Sequence, residues 1–537
     1  MDQKSLPSLS NEVWYLIFRQ LLTQDDIFNV CAVSRSFRTL GLPVLYRSVI
    51  LRELRGSESV ICDTSSDSGH QDAAPLGLYS HLMDQRKTHV RAWVRDLTLE
   101  PPKKNQDPTE KLKRLDDFIR LLKLMPNIQN IYLKQAMPLT DTFLEAVGHH
   151  SNSPKLHLLS EAGYTRVDCQ VSSVQALKIG IHLDFARRGE SPKTIAPREL
   201  FLAFPNLRNL SISVQRRYGG CMPGPRTPLL IVPLKLLQHE RFPPLESLSL
   251  GGYYVHVDEI LSWRTKLPWQ SLRSLHLTEN RGFLEAINGS PLLLEELSIF
   301  GTEAAANGEC LELNQILLSF DTLQKLEVTG HLPRMTAVAH HHSLKYLRLH
   351  KIEEPDKERK NHSGEDIQLL GQECGELQSL EIDVSWDNGW PEDVISALAK
   401  GFTNLSSISI HVASGLLHLK GQPRTKPGSS QWRPPLDEVT AASVYESFRH
   451  QRDLASHLKK VTLKTGEDKR WFPQWKPDYA TLEDKLSRLF EIRFSGEEGD
   501  EFGVRELESN YTKKWRELTE RIASRQRESF LFNVKHT

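Results

Sequence analysis

The chain has little that would tie it to nucleic acid, a membrane or a metal. Its 68 Lys+Arg are matched by 68 Asp+Glu, so net charge gives no reason to expect a nucleic-acid or acidic-membrane partner. No run approaches the ~18 apolar residues of a membrane span, and the first residues do not read as a signal peptide. The six cysteines, at 31, 62, 169, 221, 310 and 374, lie too far apart for a metal knuckle or a redox pair. The expectation is an intracellular protein, cytoplasmic or nuclear, with reduced thiols. Triplets such as Asn288-Gly289-Ser290 then carry no glycan.

Catalytic signatures are also missing. Gly219-Gly220 is not followed by the Lys-Ser/Thr of a phosphate cradle. No Gly-x-Ser-x-Gly or His-Glu-x-x-His occurs. His340-His341-His342 is a poor metal motif, because adjacent side chains diverge and no acidic or Cys ligand stands at a known spacing. The expectation is a non-enzyme with no cofactor and no metal.

Two patterns are present instead. The first is a compact set of helix signals near the N-terminus. Val13, Ile17 and Leu21, with Leu16, lie on one helical stripe, and Ser10 or Asn11 caps its first turn. Thr23 with Asp26 three residues on gives a box-like cap to a second helix carrying Ile27, Val30 and Cys31. Ser34 opens a third, which is expected to end at Gly41. Leu45-Tyr46-Arg47-Ser48-Val49 then turns toward strand character. Three such short helices bury little surface and are marginal alone.

The second pattern is a repeat: an aliphatic, two variable residues, an aliphatic, one variable, an aliphatic. Twelve copies begin at 94, 128, 174, 207, 245, 272, 294, 323, 344, 377, 405 and 458. Their starts are 34, 46, 33, 38, 27, 22, 29, 21, 33, 28 and 53 residues apart. The shortest gaps match a leucine-rich repeat, and the longer ones leave room for a helix or loop. Candidate connecting helices span 112–124, 141–149, 258–263, 364–374 and 391–402. Only Asn280 holds the Asn/Cys that usually follows the third aliphatic, so the array is expected to be irregular, with breaks at the 46- and 53-residue gaps.

The N-terminal set resembles an F-box. Leu6-Pro7, Glu12-Val13, Ile17-Phe18, Leu21-Leu22, Asp26-Ile27, Val30, Val33-Ser34 and Phe37-Arg38 carry the resemblance, and Leu45–Val49 is similar to a fungal variant leading into repeats. Phe37 departs from the Trp of many members, and Ser10 from a Pro. The resemblance implies docking on the SKP-type adaptor of cullin-based ubiquitin ligases. Leu6, Pro7, Leu9, Val13, Ile17, Leu21, Ile27, Val30 and Phe37 are the matching adaptor-binding positions, without separation of core from contact.

The expected architecture is thus α/β (α+β in total). It comprises a three-helix F-box at 1–52, a linker at 53–93 with a helix around 78–93, and an irregular leucine-rich-repeat solenoid with a parallel concave sheet at 94–464. A C-terminal cap at 465–537 is expected to hold Trp471 and Trp475 over the sheet edge and a helix from Val504 to Arg527. The resemblance implies the substrate-recognition subunit of an SCF-type ligase, with a cullin reached through the adaptor and a protein substrate on the repeats. The alternative is a scaffold without ligase function. Phe300, Tyr346, Arg348 and His350 are outward strand positions suited to a substrate, because aromatics and Arg anchor interfaces. Glu381 and Asp383 lie one repeat away, where charge pairing along the sheet competes with substrate binding.

Overall fold

The computed structural model describes residues 9–20, 24–51, 78–100, 108–134, 139–159, 170–184, 197–217, 234–278, 282–301, 311–330, 332–352, 361–384, 390–412, 436–451, 458–466, 488–493 and 503–508. It divides into two units, residues 1–271 and 272–537. No described helix is long and apolar enough to cross a membrane.

The first unit opens with three helices: α1 (Asn11–Gln20), α2 (Gln24–Val33) and α3 (Arg35–Leu45). Ser10 caps α1, its Oγ accepting from Val13 N at 3.4 Å, and Ser34 caps α3 by accepting from Phe37 N at 3.1 Å. Gly41 does not end α3, as its identity suggests; the helix runs on to Leu45, with Pro43 in its last turn. The reason is contact, not conformation. A Cβ on Gly41 would lie 2.5 Å from Cys31 Sγ, so glycine lets α3 close on α2.

Seven strands follow in the first unit: β1 (Ser48–Leu51), β2 (Asp96–Leu99), β3 (Asn130–Leu133), β4 (Lys155–Leu158), β5 (Val174–Asp184), β6 (Asn209–Arg217) and β7 (Ser247–Gly251). Each pairs with the next in sequence, and all pairs are parallel. The array therefore starts at Ser48, at the end of the helical segment, and not at residue 94. The helix expected over 78–93 is split into Leu78–Met83, a 3-10 turn at Gln85–Lys87, and Thr88–Trp93. Asp84 causes the break by accepting from Arg86 N at 2.9 Å. Buried Arg91 ties the pieces together, donating to the carbonyls of Leu82 and Asp84 at 2.8 Å each.

The second unit holds β8 (Ser274–Thr278), β9 (Glu296–Phe300), β10 (Lys325–Thr329), β11 (Tyr346–His350), β12 (Ser379–Val384), β13 (Ser407–Val412), β14 (Lys460–Thr465), β15 (Leu489–Arg493) and β16 (Gly503–Leu507). Strands β8 to β14 pair parallel in sequence order, whereas β15 and β16 join antiparallel. Both units are thus mixed α/β, with parallel strands linked by helices or loops.

All twelve sequence repeats are strands. The leading aliphatic of every copy is at most 3% exposed. The second and third aliphatics are buried too, except half-buried Ile299. Every strand thus turns one row of Leu, Ile or Val inward, as period-two alternation requires.

Among the described residues the expected breaks do not occur: the strands on either side of both gaps are joined by continuous parallel pairing. The 46-residue gap holds β4, which the motif misses because Ser153 stands where its first aliphatic would be. The described residues there show a register shift at Leu156/His157. Across the 53-residue gap β13 pairs directly with β14. The five candidate connecting helices are present as Pro108–Leu124, Asp141–Gly148, Val257–Lys266, Gly364–Glu373 and Glu392–Lys400. The start of the expected C-terminal helix is instead strand β16, whose residues continue the ladder from β15; residues 509–527, Trp471 and Trp475 lie outside the described residues.

Candidate functional site

Two places stand out. In the N-terminal helices the structure separates residues that the pattern left together. Phe18 (2% exposed), Ile27 and Cys31 are the core. Phe37 is half-buried and belongs with them: its ring lies 4.8 Å from Trp14 and 5.5 Å from Phe18. Val30 is half-buried. In contrast, Leu9, Val13, Leu16 and Ile17 are exposed, from 39% at Val13 and Ile17 to 57% at Leu16. The spacing of Val13, Leu16 and Ile17 makes one stripe along α1, and Leu9 lies just ahead of the helix. Phe28 and Val33 on α2 are exposed at 63% and 71%. Leu6, Pro7 and Leu21 lie outside the described residues. The carboxyl of Glu12, in the first turn of α1, is held below the ordinary carboxylate range by its own backbone N–H and by Ser10.

The second place is on β11 to β14. Parallel in-register pairing stacks equivalent positions into rows across the strands. One row contains Arg348 and Glu381, with Ser409 and Thr462 beyond. The next contains His350, then Asp383, His411 and Lys464. The expectation of outward exposure is wrong for His350 and Asp383, which are 2% and 1% exposed; His411 is 3% exposed. Phe300 and Tyr346 are half-buried, with Phe300 5.2 Å from the His276 ring.

The two rows form one polar network. Glu381 is its hub: Arg348 Nε lies 3.0 Å from its Oε1, His411 Nε2 2.7 Å and Lys464 Nζ 2.8 Å. His350 Nδ1 is 2.7 Å from Asp383 Oδ1, and Asp383 Oδ2 accepts from the backbone N–H of Lys351 at 2.5 Å. The His350 and His411 rings stack with centroids 4.0 Å apart. Burial pushes the Tyr346 hydroxyl up to about 12, helped by the Glu381 and Glu327 carboxylates. Charge pairing along the sheet is therefore present between Arg348 and Glu381.

Sequence reading missed His411 as a partner, though the repeat at 405 places it in the same row as Asp383. His411 reaches Glu381 because β12 pairs with β13, and Lys464 reaches it because β14 pairs with β13 despite the 53 residues between their motifs. Among the described residues, His350, Asp383 and His411 are the group whose ligand atoms fall within 4.8 Å of one another. The His340–His342 run has a different character. His341 is fully buried against Phe320, and desolvation lowers its pKa to about 4. His342 faces outward, with Nδ1 2.9 Å from the Glu373 carbonyl.

No protein-family model matches this chain, and no curated protein matches it.

Proposed function

We propose that this chain is the substrate-recognition subunit of an SCF-type cullin ubiquitin ligase. In this reading residues 6–52 are an F-box that docks on an SKP-type adaptor, and the strand array is a leucine-rich-repeat receptor for a protein substrate. The observation that carries it is the split within the N-terminal helices. Their core is filled by Phe18, Ile27, Cys31 and the Trp14–Phe37 contact, while Val13, Leu16 and Ile17 remain exposed on one stripe and Leu9 is exposed just ahead of it. Covering an exposed aliphatic side chain gains roughly 1.5–3 kcal/mol at full burial, so such a stripe favours a partner. The resemblance of the same residues to an F-box names the partner class.

The chain then acts by proximity. The adaptor links it to the cullin, the cullin brings the conjugating enzyme, and the array holds the target within reach. On the array, Phe300, Tyr346 and Arg348 are the proposed substrate-facing positions; His350 and Asp383 support them from beneath.

Adaptor capture by the full chain tests this reading. Ile17→Asp is expected to reduce capture at least tenfold with unchanged circular dichroism, because Ile17 is exposed and outside the core. Undiminished capture by a Val13→Asp/Ile17→Asp protein refutes the docking face. Adaptor retained without cullin turns the reading into that of a scaffold.

A further inference from the structure

We propose that His350, Asp383 and His411 form a binding site for a divalent first-row cation of the zinc class. The site does not depend on adaptor docking. It is built by three neighbouring parallel strands, each contributing one residue near its C-terminal end. Asp383 and His411 are register partners, and His350 hydrogen-bonds to Asp383 at 2.7 Å. One ligand atom from each lies within 4.8 Å of the other two, and none of the three residues is more than 3% exposed.

The chemistry suits this ion class. Two imidazoles and a carboxylate are the borderline donors that zinc takes at about 2.0–2.2 Å, with a fourth position left for water or another ligand. Around one ion such donors sit about 3–4 Å apart, so small side-chain adjustments close the set. Calcium and magnesium, which prefer all-oxygen shells, fit poorly.

Outer partners hold two of the three ligands in place. The Glu381 carboxylate accepts from His411 Nε2–H at 2.7 Å, leaving Nδ1 as the nitrogen to bind the ion. The Lys351 N–H fixes Asp383 Oδ2, and Oδ1 is the oxygen turned to His350. Arg348 and Lys464 place their charge on Glu381, one row away from Asp383.

The full chain, tag-free and stripped with EDTA, is titrated with Zn²⁺ by calorimetry and with Co²⁺ by visible absorption. One equivalent bound and an intense low-coordinate cobalt spectrum are expected. His350→Gln, Asp383→Asn and His411→Gln should each weaken binding by more than tenfold. Glu381→Gln should weaken it by roughly tenfold as an outer-shell change. His342→Gln, at an exposed histidine, should leave affinity unchanged. Absence of a bound equivalent overturns the proposal, as does binding that survives in the His350→Gln/His411→Gln protein. If those variants fail to fold, the cobalt spectrum of the unaltered chain decides: the weak bands of a hydrated six-coordinate ion overturn the site.

Discussion

Replacing Glu381 by Gln should destabilise the second unit by about 2 kcal/mol. The side chain keeps its shape, so no cavity forms; what is lost is one negative charge facing three partners. Its side chain is 13% exposed, those of Arg348 and Lys464 are each 19% exposed, and that of His411 is 4% exposed. Breaking a fully buried pair costs about 3–5 kcal/mol, and an exposed one about 0–1 kcal/mol. Residual solvent access places this hub between the limits. The loss is larger than for one pair because Arg348 and Lys464 would then repel each other across the vacated charge. Equilibrium urea unfolding, with hydrogen exchange on β11 to β14, measures it. A second arm isolates the coupling: Lys464→Met should cost less in the Glu381→Gln background than alone. A change below about 0.5 kcal/mol, with unaltered exchange, would refute the reasoning and mean that water screens the network.

Two further outcomes follow from burial. Gly41→Ala should loosen α3 from α2, because its Cβ meets Cys31 Sγ at 2.5 Å; overpacking costs about 1–3 kcal/mol, against about 1 kcal/mol gained in helix propensity. Limited proteolysis of residues 9–51 reads the change, and Cys31→Ala added to it should restore resistance; failure to do so sinks the contact argument. Acid should destabilise the chain through His341. The unfolded side chain takes up a proton near 6.5 but the folded one only near 4, so stability is whole above about 6.5 and falls as pH drops toward 4. At 1.36 kcal/mol per pH unit the loss approaches roughly 3 kcal/mol. His157 and His362, lowered by their own burial, add in the same direction, while Glu259, raised by burial, opposes it. Urea midpoints between pH 7.5 and 4.5 should fall less steeply in His341→Leu; an equal slope contradicts the assignment.

Much of the strand array is legible in the sequence. The inward ladder needs an aliphatic at fixed offsets, and hydrophobic alternation survives any choice of neighbours. Thus twelve strands follow from local pattern, whereas β4 escapes because Ser153 breaks the motif and β15 and β16 because they leave the repeat. Connecting helices of eight residues or more mostly declare themselves. Pro197–Leu202, Phe283–Ile287, Leu311–Leu317 and Met335–Ala339 do not, since five to seven residues give too few turns for a helical period.

In the N-terminal helices the sequence determines caps and stripes, because Ser10 and Ser34 act on the backbone within three residues of themselves. It does not determine which apolar residues face inward. Only the packing of α1 and α2 against α3 separates Phe18 and Ile27 from Val13 and Ile17, and makes Gly41 a contact point instead of a helix end. The polar rows divide the same way. Pairing of Arg348 with Glu381 follows from motif spacing; the convergence of His350, Asp383, His411 and Lys464 does not. It depends on strand register and on burial, two properties set by neighbours 28 to 53 residues apart at their motif starts.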